Sequence, residues 1–327
     1  MSAKKYSDME LLRKVGEGEY PTEYLLSRIR ARRALLISDW KGLLLSESVS
    51  DLIPSRYGTT TGDDPEAVWR FLLKEFGSVY SQMNKEMRRI FAPFFLYAEL
   101  RTIFICLRYA RGGEGGKIRR LLSFSLLSGN IREILGSGGD LSSIIEGLGD
   151  RLTSISGRFG GLRDVLEEEG LLGIERRTVT AYLEYAVHSG LHPIMEDFFI
   201  SIIDSRNILS LYKHIRTNGK TAPPFTDGGR ISGEVYARIA DKKDIAGLGP
   251  IILRFAGMRI EKPDVANVES SLYRMTTRLL RRAGREPLCA GVILDYLWRC
   301  SLEARNLSIL FYGSVIERDT LASEIAQ

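Results

Sequence analysis

Glu303-Ala304-Arg305-Asn306-Leu307 lies near the end of a 327-residue chain, and the same form occurs twice more upstream. Asp204-Ser205-Arg206-Asn207-Ile208 repeats it closely, and Glu99-Leu100-Arg101-Thr102-Ile103 repeats it with Thr in place of Asn. The pattern is an acid, any residue, Arg, Asn or Thr, then Ile or Leu. The copies are spaced about 100 residues apart, and self-similarity at a fixed period marks a repeated supersecondary unit.

Each copy sits in a helical pattern. Ile293, Tyr296, Cys300, Leu307, Leu310 and Phe311 recur at spacings of three and four around Glu303, and Glu303 falls on their face. Phe95 and Cys106 frame Glu99 in the same way, and Ile200, Ile208 and Leu211 frame Asp204. An acid on an apolar stripe is costly to desolvate unless it is paired. Asn207 and Asn306 follow near the same face, whereas Arg101, Arg206 and Arg305 lie two residues on, roughly 200° round the helix, away from their own acids. The acid and the Asn therefore read as hydrogen-bonded ties from one helix to its neighbour. Three acids cradling a divalent ion is the catalytic alternative, but they fall one per repeat, each with an Arg beside it.

More of the repeat precedes and follows each acid. Acidic helix starts appear at Asp64-Pro65-Glu66, Glu175 and Glu269, and Gly115-Gly116-Lys117-Ile118 pairs with Gly228-Gly229-Arg230-Ile231 downstream. The third copy has no room for a downstream element. The expected fold is all-α, with three quasi-equivalent helical modules of about 100 residues at 1–110, 111–216 and 217–327.

Composition narrows the class. A 44% hydrophobic and 27% charged chain is that of a soluble globular protein rather than a disordered or fibrous one. The net charge of +5 permits an acidic partner or an anionic surface without demanding nucleic acid. Cys106, Cys289 and Cys300 read as reduced, buried small hydrophobes. No signal peptide is expected behind Met1-Ser2-Ala3-Lys4-Lys5. The greasiest stretches, 90–100 and 249–258, look too short and too charged to cross a membrane.

In chain order, a short helix is expected at Asp8–Val15. Another runs from Pro21-Thr22-Glu23 to Leu36 with Leu25, Ile29 and Leu36 as its apolar stripe. Short helices follow at 39–45 and 49–57, with Gly58-Thr59-Thr60-Thr61-Gly62 as a loop. Residues 63–109 form a helical pair interrupted near Pro93. Two short, weakly capped helices fill 141–172, and helices follow at 231–245, 250–255, 269–282, from Pro287 to about Ile316, and at 319–325.

Two motifs fail their chemical tests. Arg111-Gly112-Gly113-Glu114-Gly115-Gly116-Lys117 lacks both ends of a phosphate loop, and no strand precedes it. His188, His192 and Glu196 have metal-ligand spacing, but Gly190 and Pro193 break the helix that would align them. No nucleophile–base arrangement is present, so no catalytic, cofactor or metal residues are expected. Two clusters of arginine suit an acidic partner. Arg28, Arg30 and Arg33 lie on the first long helix, and Arg278, Arg281 and Arg282 end the helix that follows Glu269. As bland readings, they are a solvated face and a helix-dipole match.

Taken together, the late Glu-x-x-Asn-Leu helix, the mid-chain Asp-x-x-Asn-Ile helix and the Arg-rich first helix resemble the C-type subunit of archaeal and bacterial V/A-type ATPases, the relative of the d-type subunit of V-ATPases. The resemblance rests on Tyr24, Arg28 to Leu36, Asp204, Asn207, Gly228 to Ile231, Tyr296, Glu303, Asn306, Leu307, Gly313 and the 317–325 segment. Thr102 departs from it, as does the glycine-rich 111–161 stretch. The resemblance implies a funnel of three helical units that binds no cofactor and catalyses nothing. It implies a rotor adaptor joining the D- and F-type central-shaft subunits to the proteolipid rotor ring, cytoplasmic and peripheral to the inner face of the plasma membrane. A helical-repeat scaffold binding proteins in a soluble complex is the rival reading, although its modules are ordinarily shorter than these.

Overall fold

The computed structural model describes residues 10–16, 21–45, 66–243, 245–256, 265–286 and 290–312, together with Leu321, Glu324 and Ile325. Cys289, Gly313, the 49–62 and 257–264 segments, the Asp64-Pro65 helix start and most of 313–327 lie outside them. The described residues form 13 α-helices and no strand. These are α1 (Thr22–Arg33), α2 (Trp40–Leu45), α3 (Ala67–Gln82), α4 (Lys85–Arg111), α5 (Gly115–Leu122), α6 (Gly129–Gly136) and α7 (Leu141–Thr153), followed by α8 (Leu162–Val187), α9 (Pro193–Arg216), α10 (Gly233–Lys242), α11 (Ile245–Ala256), α12 (Val265–Ala283) and α13 (Ala290–Tyr312).

The chain forms two compact units, each made of two separated stretches. The first comprises Met1–Leu25 and Leu73–Glu196, the second Leu26–Leu72 and Asp197–Gln327.

In the first unit α4 is the central helix, touching α5, α6, α7 and α8. It begins at Asn84, whose side chain accepts from the Met87 N–H and caps the first turn. Phe94 and Phe95 pack edge-on against Phe76, and Phe95 against Tyr80. The expected interruption near Pro93 falls instead at residues 83–84, and Pro93 lies inside α4. Proline removes one helical donor, the one that would serve the Arg89 carbonyl, yet α4 runs on through it, its aromatic residues packed on α3 and the Pro93 carbonyl also accepting from the buried Tyr182 hydroxyl at 2.8 Å.

Among the described residues, buried Arg88 meets no carboxylate at ion-pair distance. It donates instead to the carbonyls of Tyr80 and Ser81 at the end of α3, and to those of Val15 and Gly16. This satisfies carbonyls that a helix end leaves unpaired and fastens the N-terminal arm. The helix expected at Asp8–Val15 does not form across that arm. Leu12 instead bridges Leu127, with Arg13 N–H donating to Leu126 O and Ser128 N–H to Leu11 O. Leu11 and Leu12 are both buried; an extended segment sends adjacent side chains to opposite sides, so the fold covers this arm on both of them.

The 141–172 region holds α7 and the first part of α8. The α7 cap is stronger than expected, with Asp140 accepting from Ser143 N–H at 2.7 Å. Gly170, at φ 66°, breaks α8, so Glu175 sits past a kink rather than at a helix start. The expected 231–245 helix is shorter, because Lys243 turns left-handed after α10.

The second unit has a core of Ile208, Leu211, Tyr212, Tyr236, Val268 and Leu272 with their neighbours. Phe198 packs edge-on against Trp298, whose indole donates to Thr277. The helices α12 and α13 lie against each other. A Cβ on Gly291 would overlap the Ala283 backbone, which lets the two helix ends touch main chain to main chain.

The sequence showed no span-length apolar stretch, yet α4 is long and apolar enough to cross a membrane by those two measures. Of its most apolar window, 72% is buried inside the fold, which is how the core helix of a globular unit behaves.

Replacing Asn84 with Ala should lower the unfolding free energy by about 1 kcal/mol, the usual worth of a helix cap. Denaturant unfolding of the variant beside the parent chain measures it. An unchanged midpoint would mean that α4 starts without this cap.

Candidate functional site

The three repeated acids make one kind of contact. Glu99 in α4, buried to 1% exposure, accepts from the Leu126 N–H at 2.5 Å and from the Ser125 hydroxyl at 2.8 Å. Asp204 in α9 accepts from the N–H groups of Arg230 at 3.1 Å and Ile231 at 3.3 Å. Glu303 in α13 accepts from the Ile37 N–H at 2.7 Å. In every case the donor is the backbone of a loop just ahead of a helix: Leu126 before α6, Ile231 before α10 and Ile37 before α2. The expected ties between neighbouring helices are therefore ties from a helix to a loop. Helix interiors have no spare N–H groups, because each already donates four residues back, whereas loops do.

Asn207 strengthens the second tie. Its amide donates to Thr226 O at 2.8 Å and accepts from Thr226 N–H at 2.9 Å. A Cβ on Gly229 would overlap the Asp204 carboxylate, so glycine is needed where the loop meets the acid. In the first copy the spatial counterpart of that loop is Ser125-Leu126. Gly115-Gly116-Lys117-Ile118, paired with it by sequence, instead opens α5.

Burial pushes the Glu99 carboxyl above its ordinary value, and the Leu126 N–H with the Thr102 and Ser125 side chains pulls it part of the way back. Asp204 is raised in the same way, opposed by the N–H groups of Arg230 and Ile231.

The repeat arginines do separate work. Arg305 donates to Glu269 Oε1 at 3.0 Å and to the Glu324 carbonyl at 2.8 Å, and it stacks on Tyr273. Glu269, marked by sequence as a helix start, is thus the partner of a repeat arginine. Glu175 pairs with Arg108, near the end of α4. Arg101 is exposed and Arg206 half-buried. Asn306 is fully buried.

The two arginine clusters meet at a residue that sequence reasoning missed. Asp295 in α13 is completely buried, and Arg33 Nη2 at the end of α1 lies 3.0 Å from its Oδ2. Neither carboxylate oxygen accepts a well-aligned hydrogen bond. Burial pushes the Asp295 carboxyl up, while Arg33, Arg299 and Arg281 pull it down. Arg299 is itself pushed down by burial and by the two other cations. Arg33 is in ion-pair contact with the carboxylate while Arg281 and Arg299 act on it electrostatically from further away, so basic residues of α1, α12 and α13 share one corner. Arg30, Arg278, Arg281 and Arg282 are exposed, and Arg28 is half-buried. An acid among apolar residues at Ile293-Leu294-Asp295-Tyr296-Leu297 was the available signal.

The remaining motifs are structural. His188 follows α8, with its Nδ1 2.6 Å from the Glu184 carbonyl, and Gly190 turns the chain into α9. Among the described residues no group of His, Cys, Asp or Glu could hold a metal ion. Cys106 and Cys300 are buried and unbridged.

With this geometry in view, the comparison with known proteins is specific. The family model for the ATP synthase (C/AC39) subunit matches residues 25–319. The chain belongs to that family, which groups the C-type subunits of V/A-type rotary ATPases, and its described residues are all-α as the resemblance implied. No curated protein matches the chain.

Removing the second tie should be the more damaging loss, since Asp204→Ala leaves two buried-facing N–H groups unpaired. A cost of about 2–3 kcal/mol is expected from unsatisfied buried donors, read as a lowered unfolding midpoint. Gly229→Ala should fall in the same direction, because its Cβ displaces the carboxylate. For Glu99 the pH dependence has a definite sign. Its folded-state pKa is raised, so the folded chain holds the proton more tightly than the unfolded one, and stability rises as pH falls through that raised value. Between pH 7.5 and 5, the wild-type chain should therefore gain stability relative to Glu99→Gln. A difference that stays flat with pH would show that Glu99 titrates normally.

Proposed function

We propose that this chain is the non-catalytic adaptor of a V/A-type rotary ATPase, joining D- and F-type central-shaft subunits to the proteolipid ring on the cytoplasmic side of the membrane. The observation that carries this reading is the family match over residues 25–319. Ion transport coupled to ATP hydrolysis or synthesis is the work of the complex, and the adaptor's share is mechanical.

Torque transmission asks a protein to resist shear without chemistry. Long helices supply axial stiffness, and buried carboxylates holding loops onto those helices keep the loops from creeping under load. Such ties are costly to break, because opening one strands a buried charge as well as its donors. Three quasi-equivalent modules at 1–110, 111–216 and 217–327, arranged as a funnel, are the architecture this reading requires.

The partner contacts we assign are Arg28, Arg30, Arg33, Arg278, Arg281 and Arg282. Arg33 also pairs with Asp295 and Arg281 lowers its carboxyl electrostatically, so both bear on the corner as well as present it. Arg282 is exposed, does not act on Asp295, and is the cleanest probe.

Co-expression with the shaft subunits and ring of the same genome, followed by native mass spectrometry, should return a one-to-one complex with the shaft docked on the ring. Arg282→Glu should weaken that assembly about tenfold, the scale of a rim charge reversal, at an unchanged melting temperature. A folded chain that ignores folded shaft and ring would overturn the adaptor reading. Undiminished assembly of the variant would remove Arg282 alone.

A further inference from the structure

The third copy of the repeat differs from the others in where its loop comes from. Glu99 and Asp204 take N–H groups 26 or 27 residues downstream of themselves. Glu303 takes one from 266 residues upstream, at Ile37. The local setting is nevertheless the same. The donor stands three residues before α6 in the first copy, two before α10 in the second and three before α2 in the third. The third copy thus has the same tie in space, with its loop drawn from residues near Ile37.

A second contact holds the same segment. Arg33 reaches buried Asp295, eight residues before Glu303 on the same helix. Eight residues of helix rise about 12 Å. The four Cα steps from Arg33 to Ile37 extend to at most ~14 Å, so the two anchors match the reach of the segment between them. Leu36 and Trp40, on either side of Ile37, are buried, so the segment is seated by apolar contact as well as by its ties. Both anchors are acids inside α13, and both occupants lie within a five-residue stretch.

We propose that Asp295 and Glu303 form a docking site on α13 whose occupant is the chain's own segment Arg33–Ile37, so that residues 26–45 complete the third repeat as a strap closed over the C-terminal helix. The site recognises an arginine followed four residues later by an unpaired N–H at the entrance to a helix. The strap fixes Arg33 at the basic corner, and opening it would release Arg33 from Asp295 and withdraw the Ile37 N–H from Glu303. This inference stands on contacts within one unit and is independent of which partner the protein carries.

Hydrogen exchange on the full-length chain tests it. In the wild-type protein the Ile37 amide should exchange together with the amides of α13, as part of one cooperative opening. In Glu303→Ala, exchange across 26–45 should accelerate by at least about tenfold, the expected effect of losing a charged acceptor, while the Leu126 and Ile231 amides keep their wild-type rates. Wild-type exchange of Ile37 at the rate of an open loop would overturn the proposal and needs no variant. So would a uniform rise throughout the second unit in Glu303→Ala. Native mass spectrometry should find a monomer, and a dimer exchanging straps between copies would overturn the intrachain assignment.

Discussion

A carboxylate inside a helix bundle must find donors, and the helices around it have none to give. Each helical N–H is already committed to the carbonyl four residues back. The fold resolves this by bringing loops to the acids. Leu126, Arg230, Ile231 and Ile37 all belong to connections, and all present N–H groups that the connection itself does not use. The need is mutual, since those loop amides would be unpaired in the interior without the acids. Each acid therefore decides where a connection crosses its helix, and hence where the next helix begins. Helix packing alone, driven by apolar contact, would leave those crossings free to slide.

Asp295 follows the same rule with a different outcome. It takes no backbone donor and is compensated by cations instead, with Arg33 close to one oxygen and Arg281 and Arg299 acting from further away. Three guanidinium groups around one carboxylate leave a local surplus of positive charge. The carboxylate offsets much of the repulsion between cations on different helices, which is what allows the basic ends of α1 and α12 to share a corner. The concentration of positive charge, offered by sequence as two separate clusters, is thus a single feature with a buried acid beneath it.

The helical class and the repeat were legible because both are periodic. Apolar spacing of three and four marked α4, α9 and α13, and the acid on each stripe was anomalous enough to count as a motif. What the acids bind was not legible, because a backbone N–H carries no residue identity. Ser125-Leu126 and Arg230-Ile231 do not look alike, and sequence matching chose the more similar Gly115–Ile118 in error. Pro93 misled for a related reason. Its helix-breaking tendency is local, whereas the packing of Phe94 and Phe95 on Phe76 and Tyr80 that keeps α4 in place comes from another helix. Residues 11–15 of the expected N-terminal helix are not helical, because their backbone pairs with Leu126–Ser128, a contact set by the partner segment rather than by local propensity.

The third copy of the tie is built from more distant parts of the chain than the other two. Here Glu303 keeps the buried position of the other two acids and uses a loop from the start of the chain. That choice has a kinetic cost, since closing a contact across 266 residues loses more chain entropy than closing one across 27, although the cost grows only with the logarithm of length. In return, residues at the two ends of the sequence are held by a charged hydrogen bond and an ion pair on one helix.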